Sequence, residues 1–208
     1  MQAIEELLMN IARGDIVYMR GTLPSQRQEH FLGYYWGVDE SPAKGRFFGE
    51  RAAGAQVFSM HNPSGEDPAG EDYGLEHTLP QLRVSQQRIC SCTLREGTII
   101  PASSFREVSL DELVSPYEAR TVRIELEGVD NAVVGFIYEK TSRDEYLVTP
   151  STAPFVAPPL LESVSGGAAE EVLLVVPEVE ERGHFRPPIV REVYRLPVKR
   201  VEVFSSEV

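Results

Sequence analysis

Gly14-Asp15-Ile16-Val17-Tyr18-Met19-Arg20, a polar spacer, and then His30-Phe31-Leu32-Gly33-Tyr34-Tyr35-Trp36-Gly37-Val38-Asp39-Glu40 form the stretch that decides the fold. A Gly-Asp turn introduces Ile16-Val17-Tyr18-Met19, a β-branched and aromatic run of the kind strands favour. Gly21, Pro24 and the polar Ser25 to Glu29 read as a long loop. The second run is aromatic throughout and interrupted by Gly33 and Gly37. Single glycines inside a strand mark bulges, bends or close backbone approach. Six of the 18 aromatic residues fall between 31 and 48, so the wall of any ligand pocket is expected here.

Working outward, Ala3, Ile4, Leu7, Leu8 and Ile11 recur at helical spacing, with acids early and Arg13 late. A short amphipathic helix is predicted, with Gly14 as its C-terminal cap. On the other side, Arg46-Phe47-Phe48-Gly49-Glu50 reads as a third strand and Gln56-Val57-Phe58-Ser59-Met60 as a fourth. Residues 61–80 hold five acids and three prolines but no Lys or Arg, which predicts a surface loop. Leu82 to Leu94 reads as one strand with Cys90, Cys92 and Leu94 on a shared face. Ser109-Leu110-Asp111-Glu112 is a capping box that opens a short helix stopped by Pro116.

Beyond this point the pattern is again β. Val122, Ile124 and Leu126 alternate with Thr121, Arg123, Glu125 and Glu127, as in a half-buried strand. Val133–Tyr138, Tyr146–Val148, Glu171–Val176 and Val190–Phe204 read as further strands. Pro197 interrupts the last, which argues for an edge position or a bulge. Residues 149–170 are rich in Pro, Gly and Ser and read as a long loop. The chain is therefore expected to be mainly β. An SH3-like barrel with short helices spans 1–117, and a second small β unit spans 118–208.

With 208 residues and a formal net charge of −12, the chain is a poor candidate for direct nucleic-acid binding, which draws its affinity from Lys and Arg on phosphates. The same charge suits a basic protein partner. Met1 to Ala12 lacks the basic start and long apolar core of a targeting segment. No apolar run approaches the roughly 20 residues needed to span a bilayer, so no membrane association is expected. Cys90 and Cys92, two residues apart, suit neither a disulfide framework nor a zinc knuckle, and read as core thiols.

No grouping of residues spells catalysis. His30, His61, His77 and His184 form no metal-binding helix pattern, and no serine sits in a nucleophile elbow. His61 and His77 flank the acidic loop near Asp67 and Glu71, but these acids are read as solvated charge. Neither metal nor cofactor is assigned. The aromatic cluster has two readings. Phe31, Phe47 and Phe58 suit a barrel core. Tyr34, Tyr35 and Trp36 are consecutive, so one strand face carries rings that a core on the other face does not bury. Cations bind where such faces meet an acid. Tyr18, Tyr35, Trp36 and Phe48, with Asp39 and Glu50 at the rim, are therefore the candidate ligand-binding residues.

The first half resembles a bromo-adjacent homology (BAH) domain. The resemblance rests on Gly14-Asp15-Ile16-Val17-Tyr18, on Phe31-Leu32-Gly33, and on Phe47-Phe48-Gly49-Glu50-Arg51. Gln56-Val57-Phe58-Ser59-Met60-His61 and Gln87-Arg88-Ile89-Cys90-Ser91-Cys92 follow in the family's order. The span runs from about 14 to 115. Phe47-Phe48-Gly49-Glu50 stands where the family usually carries Trp followed by Arg-Pro, and the Lys before the Cys of the last strand is absent. The resemblance implies a nuclear, chromatin-associated module without catalysis that binds a basic, histone-type peptide or a nucleosomal protein. The alternative expectation is a β-barrel scaffold subunit of a larger complex, nuclear or cytoplasmic, that reads no peptide.

Overall fold

The computed structural model describes residues 1–39, 47–48, 54–63, 81–109, 112, 120–127, 129, 131–138, 146–152, 171–178 and 189–205. The fold is mainly β, as the strand runs predict, and is built from two largely antiparallel sheets. The barrel expected over residues 1–117 does not close among the described residues. The first sheet is instead an open one that ends in two short strands.

The two runs of the opening stretch form β2 (Ile16–Thr22) and β3 (Gln28–Asp39), paired from Ile16↔Tyr34 to Thr22↔Gln28. Their connection is tighter than the long loop expected. Leu23 N–H donates to the Arg27 carbonyl and Gln26 N–H to the Leu23 carbonyl, both at 2.9 Å. Gly21 does not end β2, because a strand passes at this point where a side chain would not fit. A Cβ there would lie 2.5 Å from Cys92 Sγ.

Gly14 does not cap the helix. Helix α1 (Ile4–Asn10) ends at Ile11, which is extended and donates its N–H to the Leu7 carbonyl at 3.1 Å. Gly14, with φ +94°, instead forms the following turn. That turn is tied down by Asp15, whose Oδ2 accepts the Ala12 N–H at 2.7 Å. Ile4 and Leu7 are the buried face of the helix. Leu7 lies over β8 (Cys92–Ile100), where Gly97 leaves room for its methyl group.

β8 is the inner strand that the sequence reading did not carry past Leu94. It pairs with β2 from Ile16↔Ile100 to Thr22↔Thr93, and with the edge strand β1 (Gln2–Ala3). On the far side of β3 lie β5 (Ala55–Ser59), β6 (Gln81–Val84) and β4 (Phe47–Phe48), in that order. The expected single strand from Leu82 to Leu94 is broken by two tight turns around β7 (Arg88–Ile89). Ser85 and Arg88 exchange backbone hydrogen bonds at 3.0 and 2.8 Å across Gln86 and Gln87, which have φ of +48° and +59°. The second turn holds Cys90 at φ +52°. Left-handed Gln and Cys replace the usual Gly or Asn, which removes the usual sequence signal for such turns. Cys90 is thus exposed and only Cys92 is buried, in place of two core thiols on one face.

The second sheet contains β9 (Phe105–Val108), β10 (Arg120–Leu126), β11 (Val133–Tyr138), β12 (Tyr146–Thr149), β13 (Glu171–Glu178) and β14 (Ile189–Phe204). β9 precedes residue 117, yet it pairs with β14 from Phe105↔Phe204 to Val108↔Val201. β14 serves both ends of its sheet. Its first half pairs with β13 and its second half with β10. Pro197 lies at this handover, where its carbonyl accepts the Glu127 N–H at 2.9 Å. A residue without an N–H costs least at such an irregularity. The register skips next to it, between Glu125 and Leu126. Of the short helix expected from Ser109, only Ser109 and Glu112 are described, joined by a 3.1 Å backbone hydrogen bond. Most of the acidic loop (64–80) and of the Pro-rich loop (153–170) lies outside the described residues.

Each sheet has its own apolar cluster, and a third cluster joins them. Ile16, Leu32, Tyr34 and Ile100 from the first sheet pack with Phe105, Val134 and Phe136 from the second. Backbone hydrogen bonds run along the same seam: Leu32 N–H to Pro150 carbonyl at 2.9 Å and Val134 N–H to Met60 carbonyl at 2.7 Å.

Candidate functional site

Trp36 owes its position to a β-bulge. Tyr35 pairs with Phe58 and Gly37 with Val57, so Trp36 is the extra residue of β3. Gly37 takes up the distortion with φ +119°, a conformation that side-chain-bearing residues adopt with strain. The indole is half-buried against the seam cluster. Its N–H donates to the His61 carbonyl at 3.0 Å. The His61 ring meets it edge to face, with centroids 4.6 Å apart and planes at 72°. His61 is itself buried and is bonded through Nδ1 to Ser59 Oγ at 3.0 Å. The Arg13 guanidinium stands over the indole, 5.9 Å from its centroid. A cation of the chain itself thus lies within the range at which an indole face attracts one.

The other expected site residues divide between two faces. Tyr18 shares the seam side with Trp36, half-buried and edge-on to Phe136 at 6.2 Å. Its hydroxyl is hydrogen-bonded to His30 Nδ1. Burial pushes the Tyr18 phenol up against the opposing pull of Arg20. Burial, reinforced by Arg20, pushes the His30 imidazole down. Tyr35 does not join them. Strand alternation places it in the core of the first sheet, 5.2 Å from Phe58, where burial raises its phenol. Nor is Asp39 a rim charge. It is paired at 2.9 Å with Arg83, the two side chains being 8% and 2% exposed. Phe48 is described only by its backbone, which pairs with Leu82, and Glu50 lies outside the described residues. The single groove expected from all six is therefore not what the described residues form. Trp36 and Tyr18 remain on one side, with Arg13 and His61 as the partners of Trp36 that the sequence reading missed. Arg13 follows the helix by three residues, and no sequence pattern marks it as a neighbour of residue 36.

A polar network crosses the seam nearby. Arg123 Nη1 donates to Glu202 Oε2 at 2.8 Å, and Arg200 Nη2 reaches Glu202 Oε1 at 2.9 Å. Tyr34 is hydrogen-bonded to Arg123. Burial raises its phenol, and this bond partly offsets the rise. Among the described residues, no three His, Cys, Asp or Glu side chains are grouped to hold a metal ion. Of the histidines and acids at the acidic loop, His61 is accounted for above, and Asp67, Glu71 and His77 lie outside the described residues. No described helix is long and apolar enough to cross a membrane. Comparison with known proteins finds no matching family model, no similar curated protein and no similar solved structure.

Proposed function

We propose that the chain is a non-enzymatic recognition module for a basic protein segment, of the histone-tail type, methylated or not. The observation that carries this reading is the Arg13–Trp36 stack. Trp36 offers its face to a guanidinium, so a Lys or Arg of a partner has a defined place to dock by displacing Arg13. The net charge of −12 favours approach of a basic segment. The motif resemblance to BAH domains points the same way, toward chromatin and the nucleus. A second reading, a scaffold subunit, draws on the open first sheet. Its terminal strands β1 and β4 are the places where a partner strand would add.

The test is a binding titration with Lys/Arg-rich histone-tail peptides at low and moderate salt, using wild type and Arg13→Ala. Recognition at Trp36 predicts salt-sensitive binding, tightened about two- to fivefold in Arg13→Ala because the competing internal cation is gone. Absence of binding to any basic peptide, alongside a stable protein partner in pull-downs, would reject the first reading in favour of the second.

A further inference from the structure

A cleft of about 400 Å³ opens where the β10–β11 turn meets the segment after β5. Its wall is mostly polar: Arg123 and Glu125 of β10, Asn131 of the turn, Lys199 of β14 and Asn62, with Leu126 beneath. The volume is within the roughly 300–1,000 Å³ of small-molecule sites. In a chain carrying −12 overall, the described residues of this lining hold two cations, Arg123 and Lys199, against one acid, Glu125.

Both cations are placed by structure. Lys199 is the extra residue at the β10–β14 register skip, lying between Arg200, which faces Glu125, and Val198, which faces Leu126. Bulges re-aim side chains in this way. Lys199 is exposed and makes no ion pair among the described residues. Arg123 is held from behind by Glu202 and Tyr34. Glu202 takes its Nη1, and its Nε has no hydrogen-bond partner among the described residues. A guanidinium carries five N–H donors in a planar fork suited to carboxylate and phosphate. Asn131 and Asn62 bring amide groups to the same wall.

We infer that this cleft binds a small, hydrophilic oxyanion, with a carboxylate or phosphate group seated between Arg123 and Lys199. Its residues are separate from those of the peptide-binding proposal, and neither depends on the other.

The experiment titrates the full chain at low salt with inorganic phosphate and, separately, with succinate, following the backbone amides of Asn131, Ala132 and Lys199 by NMR. Saturable shifts at these positions are expected with at least one of the two anions. The tighter of the two identifies phosphate or carboxylate as the ligand group. Lys199→Ala should weaken that binding about two- to fivefold, the range of an exposed charge pair, and leave the remaining spectrum unchanged. Lys199→Glu should abolish it. No saturable shift with either anion would overturn the inference, and so would equal affinity in wild type and both Lys199 variants.

Discussion

The indole N–H of Trp36 donates to the main-chain carbonyl of His61 at 3.0 Å, while the two rings stand edge to face at 4.6 Å. One side chain thereby locks a bulge of β3 to the residue that bridges the two sheets, since His61 also pairs with Val133. Trp36 is a structural anchor as well as a candidate docking face. Trp36→Phe keeps a ring but removes the donor, and is expected to cost about 1–2 kcal/mol in urea unfolding. Trp36→Ala should cost more, about 2–4 kcal/mol, because it also empties packed space. A Trp36→Ala variant as stable as wild type would show that the anchor is dispensable.

Asp39 and Arg83 form a buried ion pair, so removing the carboxylate takes from the buried guanidinium a partner 2.9 Å away. Asp39→Ala is expected to destabilise the chain by about 3–5 kcal/mol. Replacing both, as Asp39→Leu with Arg83→Met, should recover most of that loss. Urea denaturation of the three variants checks it, and a double variant no better than the single one contradicts the pairing argument.

Glu29 is 1% exposed, and neither carboxylate oxygen has a hydrogen-bond partner among the described residues. The Arg27 Nε lies 3.6 Å away. Burial raises the Glu29 carboxyl above its ordinary value of 4.5, against the opposing pull of Arg27. As pH rises past that ordinary value, the unfolded chain loses this proton before the folded chain does. The stability contribution of the protonated group is therefore full below the unfolded value and is lost as pH climbs through the folded one. Glu29→Gln should be more stable than wild type at neutral pH, by on the order of 1 kcal/mol. The gap should close toward pH 4. A gap that does not change with pH would rule out titration of Glu29 as its cause.

Burial pushes the Cys92 thiol up to about 11, with smaller contributions from Glu29 and Cys90. The thiolate is the reactive form, so Cys92 should resist alkylation at pH 8 while exposed Cys90 reacts. Iodoacetamide followed by mass spectrometry should find one label on the native chain, at Cys90, and two in urea. Fast labelling of Cys92 in the native chain would contradict its burial.

A Cβ on Gly97 would lie 2.5 Å from Leu7 Cδ2 and 2.7 Å from the Tyr18 carbonyl oxygen. Gly97→Ala should push α1 away from β8 and cost about 1–3 kcal/mol, an overpacking penalty. A thermal melt beside wild type measures it, and an unchanged melt would mean that the helix is not seated on this strand.

Alternation and composition alone determined that the chain is mainly β. They also located β2, β3, β5, β10, β11, β12, β13 and β14, because a β-branched and aromatic run or, at β10, a clean alternation marks each one. They placed α1 through the spacing of Ile4, Leu7, Leu8 and Ile11. Gly33 and Gly37 were legible as points of close approach and bulging, and Pro197 as an irregularity. Tertiary structure alone decided which rings share a face. The bulge at Trp36, the core position of Tyr35 and the pairing of Asp39 with Arg83 depend on cross-strand registers between segments distant in sequence. The turns at Gln86, Gln87 and Cys90 were hidden because their left-handed residues are not glycine. The assignment of Phe105–Val108 to the second sheet was hidden because β14, almost a hundred residues later, supplies its partner. Arg13 over Trp36, and Lys199 beside Arg123, are likewise meetings created by chain packing, which a local pattern of residue types does not encode.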